Sequence, residues 1–297
     1  MPILQDARFA IRSMRQSPGF TAIAILALAL GIGANTAIFT VVNTVLLRPL
    51  PYKDPGRLAF LTRRFTGGDS PTISIPTFFV WKRNTSEMFS HLAAFDFMGP
   101  GVSLSGQGQP EQVKAIHASA DYFGVFGVNP SAGRFYSAEE DRPGGPRVAV
   151  ISNGLWKRRF GSDPGVVGRT VIFSGEPYTV IGVNAAAFEP NPAADVWFPL
   201  QADPASTNFG NYLLAGARLR PGVSMATAGA RMKAAADVFR RQYPGVIDKT
   251  ETAAAVPMQE FVVGNIRPIL LVMLGAVGFV LLISCANVAN LLLARAA

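Results

Sequence analysis

The sequence predicts a membrane protein in which two long transmembrane helices flank an α+β domain, built as a ferredoxin-like split βαβ lobe with a β-rich inserted lobe. Three observations lead there. In a chain of 297 residues, 49% hydrophobic and 15% charged, residues 17–47 and 268–294 contain no Asp, Glu, Lys or Arg. The remainder carries every charge and has an ordinary globular composition. Between the two runs, Gly- and Pro-rich turns divide short apolar stretches into strand, helix, strand, a β-rich insert, then strand, helix, strand. A mean hydropathy of +0.27 excludes a soluble single domain, and the confinement of the excess to two runs excludes a polytopic bundle.

Residues 1–16 read as a cytoplasmic amphipathic helix, with Leu4, Ala7, Ile11 and Met14 on one face and Arg8, Arg12 and Arg15 on another. The three arginines are expected to contact the membrane surface or a cytoplasmic partner. Pro18-Gly19 separates this segment from transmembrane helix 1 and its stalk, residues 17–47. The run is too long for the apolar core of a cleaved signal peptide, about 7–15 residues. As a helix it reaches about 46 Å against about 30 Å of hydrocarbon, so its outer part, where Asn and Thr mix with apolar residues, reads as a stalk. Arginines beside the first span place the N-terminus in the cytoplasm. Transmembrane helix 2, residues 268–294, returns the chain there, and 295–297 open a cytoplasmic segment. The domain then lies in the periplasm of a bacterial envelope, the helices in its inner membrane. Small residues at Ala27, Gly31 and Asn35, and at Gly275 and Gly278, mark interhelix contacts, and the costly intramembrane Asn287 and Asn290 are expected to hydrogen-bond between helices.

Beyond Pro49 and Pro51, residues 58–62 read as a strand and 77–94 as a helix bearing Phe78, Trp81, Met88 and Leu92. Residues 102–104 and 112–118 form a hairpin, followed by a short helix at 120–126. Strands at 147–152, 170–173, 178–183 and 195–198, with a helix at 153–160, make up the insert. A strand at 212–219 leads to a helix capped by Ser224, on which Met225, Gly229, Met232, Ala236, Phe239 and Tyr243 form one buried stripe. A strand at 252–256 closes the domain. Residues 48–133 and 206–267 are thus the membrane-proximal lobe and 134–205 the inserted lobe.

Chemistry is sparse. The net charge of +8 is dispersed, which argues against a nucleic-acid partner. Cys285 is alone, so no intrachain disulfide forms. No lysine sits in a phosphate-cradling G-x-x-x-x-G-K-[ST] loop. His91 and His117 stand in no metal-ligand pattern, Glu139-Glu140-Asp141 is an acidic turn, and Ser152-Asn153-Gly154 lacks a nucleophile elbow. No catalytic residue, metal or cofactor is expected.

The residues also carry a resemblance. Asp6-Ala7-Arg8-Phe9-Ala10-Ile11-Arg12, then Ser17-Pro18-Gly19-Phe20 and Gly31-Ile32-Gly33-Ala34-Asn35-Thr36-Ala37-Ile38-Phe39, are similar to the start of MacB/FtsX-type ABC transporter permeases, most like the duplicated orphan permeases of acidobacteria. Asp121-Tyr122-Phe123, Gly133-Arg134-Phe135, Val148-Ala149-Val150-Ile151-Ser152, Val167-Gly168-Arg169 and Tyr178-Thr179-Val180-Ile181-Gly182-Val183 resemble the MacB-type periplasmic core domain. The resemblance implies a non-enzymatic permease subunit for efflux or mechanotransmission. It also implies a separate cytoplasmic ABC ATPase that binds the ATP, a second permease half as dimer or tandem repeat, membrane lipid and a periplasmic partner protein. Such permeases have four spans per unit, so the chain is expected to continue beyond Ala297. Two spans around a periplasmic domain also describe a sensor or receptor, which remains the alternative; an envelope hydrolase lacks its catalytic cluster.

Overall fold

The computed structural model describes residues 18–96, 101–106, 109–188, 190, 193–264 and 266–296, with side chains except at 20, 24, 27, 28, 47 and 291–296. The helices are α1 (Pro18–Val42), α2 (Ile75–Asn84), α3 (Tyr122–Phe126), α4 (Asn153–Phe160), α5 (Met225–Gln242), α6 (Met258–Val263) and α7 (Arg267–Ala296). The strands are β1 (Leu58–Phe65), β2 (Gly68–Ser70), β3 (Thr72–Ile73), β4 (Phe89–Asp96), β5 (Val102–Ser105), β6 (Glu111–Val113), β7 (Ala115–Ala118), β8 (Pro130–Gly133), β9 (Val148–Ile151), β10 (Thr170–Phe173), β11 (Glu176–Asn184), β12 (Val196–Pro199), β13 (Leu213–Leu219) and β14 (Thr252–Pro257). The chain forms two compact units: Met1–Pro49 with Val262–Ala297, and Leu50–Phe261.

In the first unit α1 packs on α7. Both are long and apolar enough to cross a membrane, over Ala29–Leu46 and Arg267–Asn290. The α1 helix ends in a wider turn, Asn43–Leu47, after which Arg48 turns extended (φ −72°, ψ 129°). Pro49 disfavours a helical residue before it, so the break is written in the sequence.

In the second unit β1, β4, β13 and β14 pair antiparallel in the spatial order β14-β1-β13-β4. Counted along the chain that is fourth, first, third, second, the ferredoxin-like order, with α2 and α5 as its crossovers. Both helices pack on one face, where Phe78, Trp81 and Met232 meet Ala59, Ala94, Ala215, Ala217 and Ala253. Methyl-sized residues on the strands let the helices lie close to the sheet. The α5 stripe is buried at Met232, Ala236 and Phe239 and widened by Ala228 and Ala235.

One expected element differs. The apolar stretch at 77–94 is not one helix: α2 ends at Asn84 and β4 begins at Phe89. Ser74 accepts from the Thr77 N–H at 3.3 Å, while the Asn84 amide and the Thr85 hydroxyl return to the Val80 and Trp81 carbonyls at 2.8 Å. Polar side chains thus take the last carbonyls and stop the helix. A strand buried on both faces reads as a continuous apolar run, which periodicity cannot tell from a helix.

The sheet continues through β7-β12-β9-β11-β10-β5-β6 around a second core of Val, Ile and Phe. That core includes Val166, Val171, Val180, Val183 and Phe173 and also takes Leu104, Val113 and Ala115 from residues 102–118. Among the described residues the two parts of the sheet join where β4 meets β7 through a single residue pair, Phe95 with Ala118.

Candidate functional site

A one-pair strand junction is a weak seam by itself, and side chains carry the rest of it. Asp121, Ser119 and the short helix α3 follow β7 directly and fold back over β4. Ala94 N–H donates to the Ser119 hydroxyl at 3.1 Å and Ser119 N–H to the Ala94 carbonyl at 2.8 Å. Gly127, at φ +65°, closes α3, its N–H on the Phe123 carbonyl. A Cβ there would come 3.3 Å from the Arg218 guanidinium, so the small residue serves both the left-handed cap and the close approach.

Arg218 lies inside β13, buried, at the register position opposite His91. Its Nε donates to the Val125 carbonyl at 2.7 Å and its terminal nitrogen to the Lys53 carbonyl at 2.8 Å. Burial and the neighbouring Arg57 push its pKa below the usual arginine value. Arg57 donates twice to the Leu219 carbonyl, at 2.9 and 2.6 Å. The two arginines therefore fasten residues 53–57, the strap that follows α1, to β13 and to α3. Tyr52 continues the attachment, its ring 4.9 Å from Phe126 and 5.9 Å from Phe188.

Around α3 the aromatic rings form one cluster. Phe123 stacks on Phe135 at 3.8 Å and lies edge-on to Trp197 at 5.8 Å; Tyr122 meets Phe95 at 5.1 Å and Phe126 at 5.1 Å. Rings from both parts of the sheet thus meet here, Phe95 from β4 and Trp197 from β12. The Tyr122 hydroxyl and the Trp197 indole N–H are buried without a partner among the described residues. Burial raises the Tyr122 pKa far above the usual phenol, so it stays neutral.

Both histidines face the seam. His91 Nδ1 is 3.3 Å from Asp121, which also pairs with Lys82 at 2.8 Å; His117 Nδ1 is 2.8 Å from Asp96, whose other oxygen accepts the His117 N–H at 2.9 Å. Asp141 accepts from the Ala120 N–H at 2.9 Å and the Gln201 N–H at 2.8 Å, riveting the acidic turn to the β7–α3 connection and to the loop after β12. Burial raises its pKa above the ordinary carboxylate value. Glu140 instead takes a fork from Arg134, both oxygens at 2.7 Å, and titrates below that value. No group of three His, Cys, Asp or Glu able to hold a metal ion occurs among the described residues.

In the helix pair the Asn35 amide donates to the Gly31 carbonyl at 2.9 Å and across to the Val277 carbonyl at 3.0 Å. Gly31 faces α7: a Cβ there would meet Leu281 at 3.2 Å and Ser284 at 3.4 Å. Gly275 and Gly278 face open space, and Asn287 and Asn290 are exposed. The Ala27 side chain and the whole of Arg8, Arg12 and Arg15 lie outside the described residues. Sequence reasoning missed Arg57, Arg218 and Asp141. The available signal was Arg218, a lone cation inside the apolar run Leu213–Leu219.

The geometry can be set beside known proteins. The family model described as MacB-like periplasmic core domain matches residues 21–235. A search of curated proteins finds no match. Among solved structures, a domain of a putative permease protein from Porphyromonas gingivalis is similar with 19% identity and a TM-score of 0.53, over 70% of this chain and 93% of that one. The periplasmic region of MacB from Actinobacillus actinomycetemcomitans is similar with 14% identity and a TM-score of 0.52, over 75% of this chain and 98% of that one.

Proposed function

Because the chain belongs to the MacB-like periplasmic core domain family, a family of transporter permease components, we propose that it is the membrane subunit of an ABC-type efflux or mechanotransmission system. The observation that carries this reading is the pair of apolar helices bracketing a domain of the matched family. It sits in the bacterial inner membrane with that domain in the periplasm. Residues 48–133 and 206–267 serve as the membrane-proximal lobe and 134–205 as the inserted lobe. A separate cytoplasmic ABC ATPase binds the ATP, so this chain needs no cofactor. A second permease half completes the machine, and a periplasmic protein partners the outer lobes.

In this mechanism ATP binding moves the cytoplasmic ends of the spans. The strap at residues 53–57 passes that motion into the domain, because Arg57 and Arg218 tie it to β13 and α3. The single-pair junction of β4 and β7 is the place where the two lobes can open or close. Arg8, Arg12 and Arg15 make the cytoplasmic contact. Ala27, Gly31, Asn35, Gly275, Gly278, Asn287 and Asn290 serve helix pairing, within the chain or with the second half.

Co-purification from membranes tests the coupling. A cytoplasmic ATPase is expected to accompany the chain, with its activity stimulated, and Arg8→Ala with Arg12→Ala to lower that stimulation. Recovery of no ATPase from cross-linked membranes overturns the coupling. A reporter inserted after Leu104 that is active only in the cytoplasm overturns the topology.

A further inference from the structure

Beside the seam lies an open cleft of about 170 Å³ that the permease reading does not use. One wall is α2, where the half-buried Phe79 ring lies 5.0 Å from the buried Phe78 ring and tilted by 55° to it. The other is the turn at 138–143 with the loop at 200–204, contributing Ala138, Leu200 and Pro204. Lys82 stands one helical turn beyond the rings and Arg142 on the opposite lip.

The second wall is held in place before anything binds. Asp141 pins it from one side, and the Gln201 amide donates to the Glu140 carbonyl at 3.0 Å and the Pro146 carbonyl at 3.3 Å. Gln201 sits at φ +47°, in the left-handed region that a residue of its type rarely occupies. Such a backbone persists only where its surroundings over-determine it.

The charges have a direction. Each oxygen of Asp141 already accepts a backbone N–H, and the Lys82 ammonium is 2.8 Å from Asp121. Arg142 is exposed, and its charge also acts on Glu139, where it is one of the groups that hold the carboxyl below the usual value. An apolar cavity of roughly 150 Å³ accepts a benzene-sized group, so the floor matches one ring or a short chain, and the lip offers an exposed cation to its head.

We propose that this cleft binds a small amphiphile with a benzene-sized apolar group and an anionic head, the apolar part against the half-buried Phe79 and the head at Arg142. The proposal concerns the domain alone and stands whether or not an ATPase drives the chain.

The test uses the full chain in lipid nanodiscs and 4-(trifluoromethyl)benzoate, followed by fluorine NMR, with empty nanodiscs as the baseline for partition into lipid. Saturable broadening by the loaded discs alone is expected. Arg142→Gln should weaken it roughly threefold, the scale of one exposed ion pair. The neutral 4-(trifluoromethyl)benzamide should bind the parent chain weaker by a similar factor. Ala138→Trp, which fills the cleft from an exposed turn, should abolish binding. Broadening no greater than in empty discs, or binding that survives Ala138→Trp, overturns the site. Equal binding of acid and amide with no effect of Arg142→Gln overturns its anionic preference, even if Ala138→Trp cannot be prepared in folded form.

Discussion

Phe123 at the lobe seam is 1% exposed and Leu282 on α7 is 65% exposed, yet both are large apolar side chains. The seam buries its rings because water surrounds the domain, and burial of an aromatic side chain is worth several kcal/mol there. The helix pair leaves Leu30, Val272 and Leu282 turned outward because lipid is as apolar as they are, and helices gain nothing by hiding such residues from it. What holds the pair is close approach at Gly31 and a hydrogen bond from Asn35; what holds the seam is packing plus charge-assisted bonds. The same kind of substitution should therefore have unequal effects in the two regions.

The largest contrast is Phe123→Ala against Leu282→Ala. The first removes a ring stacked on Phe135 and is expected to cost about 3–5 kcal/mol, whereas the second should stay within about 0.5 kcal/mol. Hydrogen exchange read separately over α3 and α7 measures both, and equal losses would break the comparison. Next comes Arg218→Met, expected to cost about 2–4 kcal/mol: it strands the Val125 and Lys53 carbonyls but relieves a buried charge. Its signature is faster exchange at residues 50–57, with α1 unchanged. Protection of that strap at the parent level would remove Arg218 from the attachment.

The helix pair was legible in the sequence because its signal is composition: two charge-free runs suffice to identify it. The ferredoxin-like class was legible because β1, β13 and β14 announce themselves by apolar runs between turns and α5 by its Ser224 cap and its stripe. The β4 strand was not, because burial on both faces erased its alternation and merged it with α2. The seam was least visible of all. Lys53, Val125 and Arg218 are far apart along the chain, and the groups that Arg218 bonds are backbone carbonyls, which no side-chain motif records. Asp141 stood in plain view, but as part of an acidic turn whose partners, Ala120 and Gln201, are again backbone.

Asn35→Leu is the third test, on the lipid side. Losing the bond to the Val277 carbonyl should weaken the helix pair by about 0.6 kcal/mol and by no more than about 1.7. Unfolding in mixed micelles, followed by a fluorophore pair on α1 and α7, reads the change. A loss of several kcal/mol would mean that polar bonding dominates the pair and would narrow its difference from the seam.

The smallest effect separates the regions by pH. Glu140 titrates below its usual value because Arg134 holds it ionised, so its stabilisation is present above the unfolded pKa and disappears as pH falls through the folded one. Asp141 has the opposite sign: burial raises its pKa, and the stability it contributes is full below the unfolded value and declines as pH rises through the folded value. Between about pH 5 and pH 3 the two oppose each other. Glu140→Gln should therefore make the acid-side loss of domain stability shallower, and Asp141→Asn steeper, each by less than about 1 kcal/mol given partial exposure. The charge-free spans should show neither change, and a steepening seen equally in α1 and α7 would mean that acid acts on the whole chain rather than on the turn that rivets the lobes.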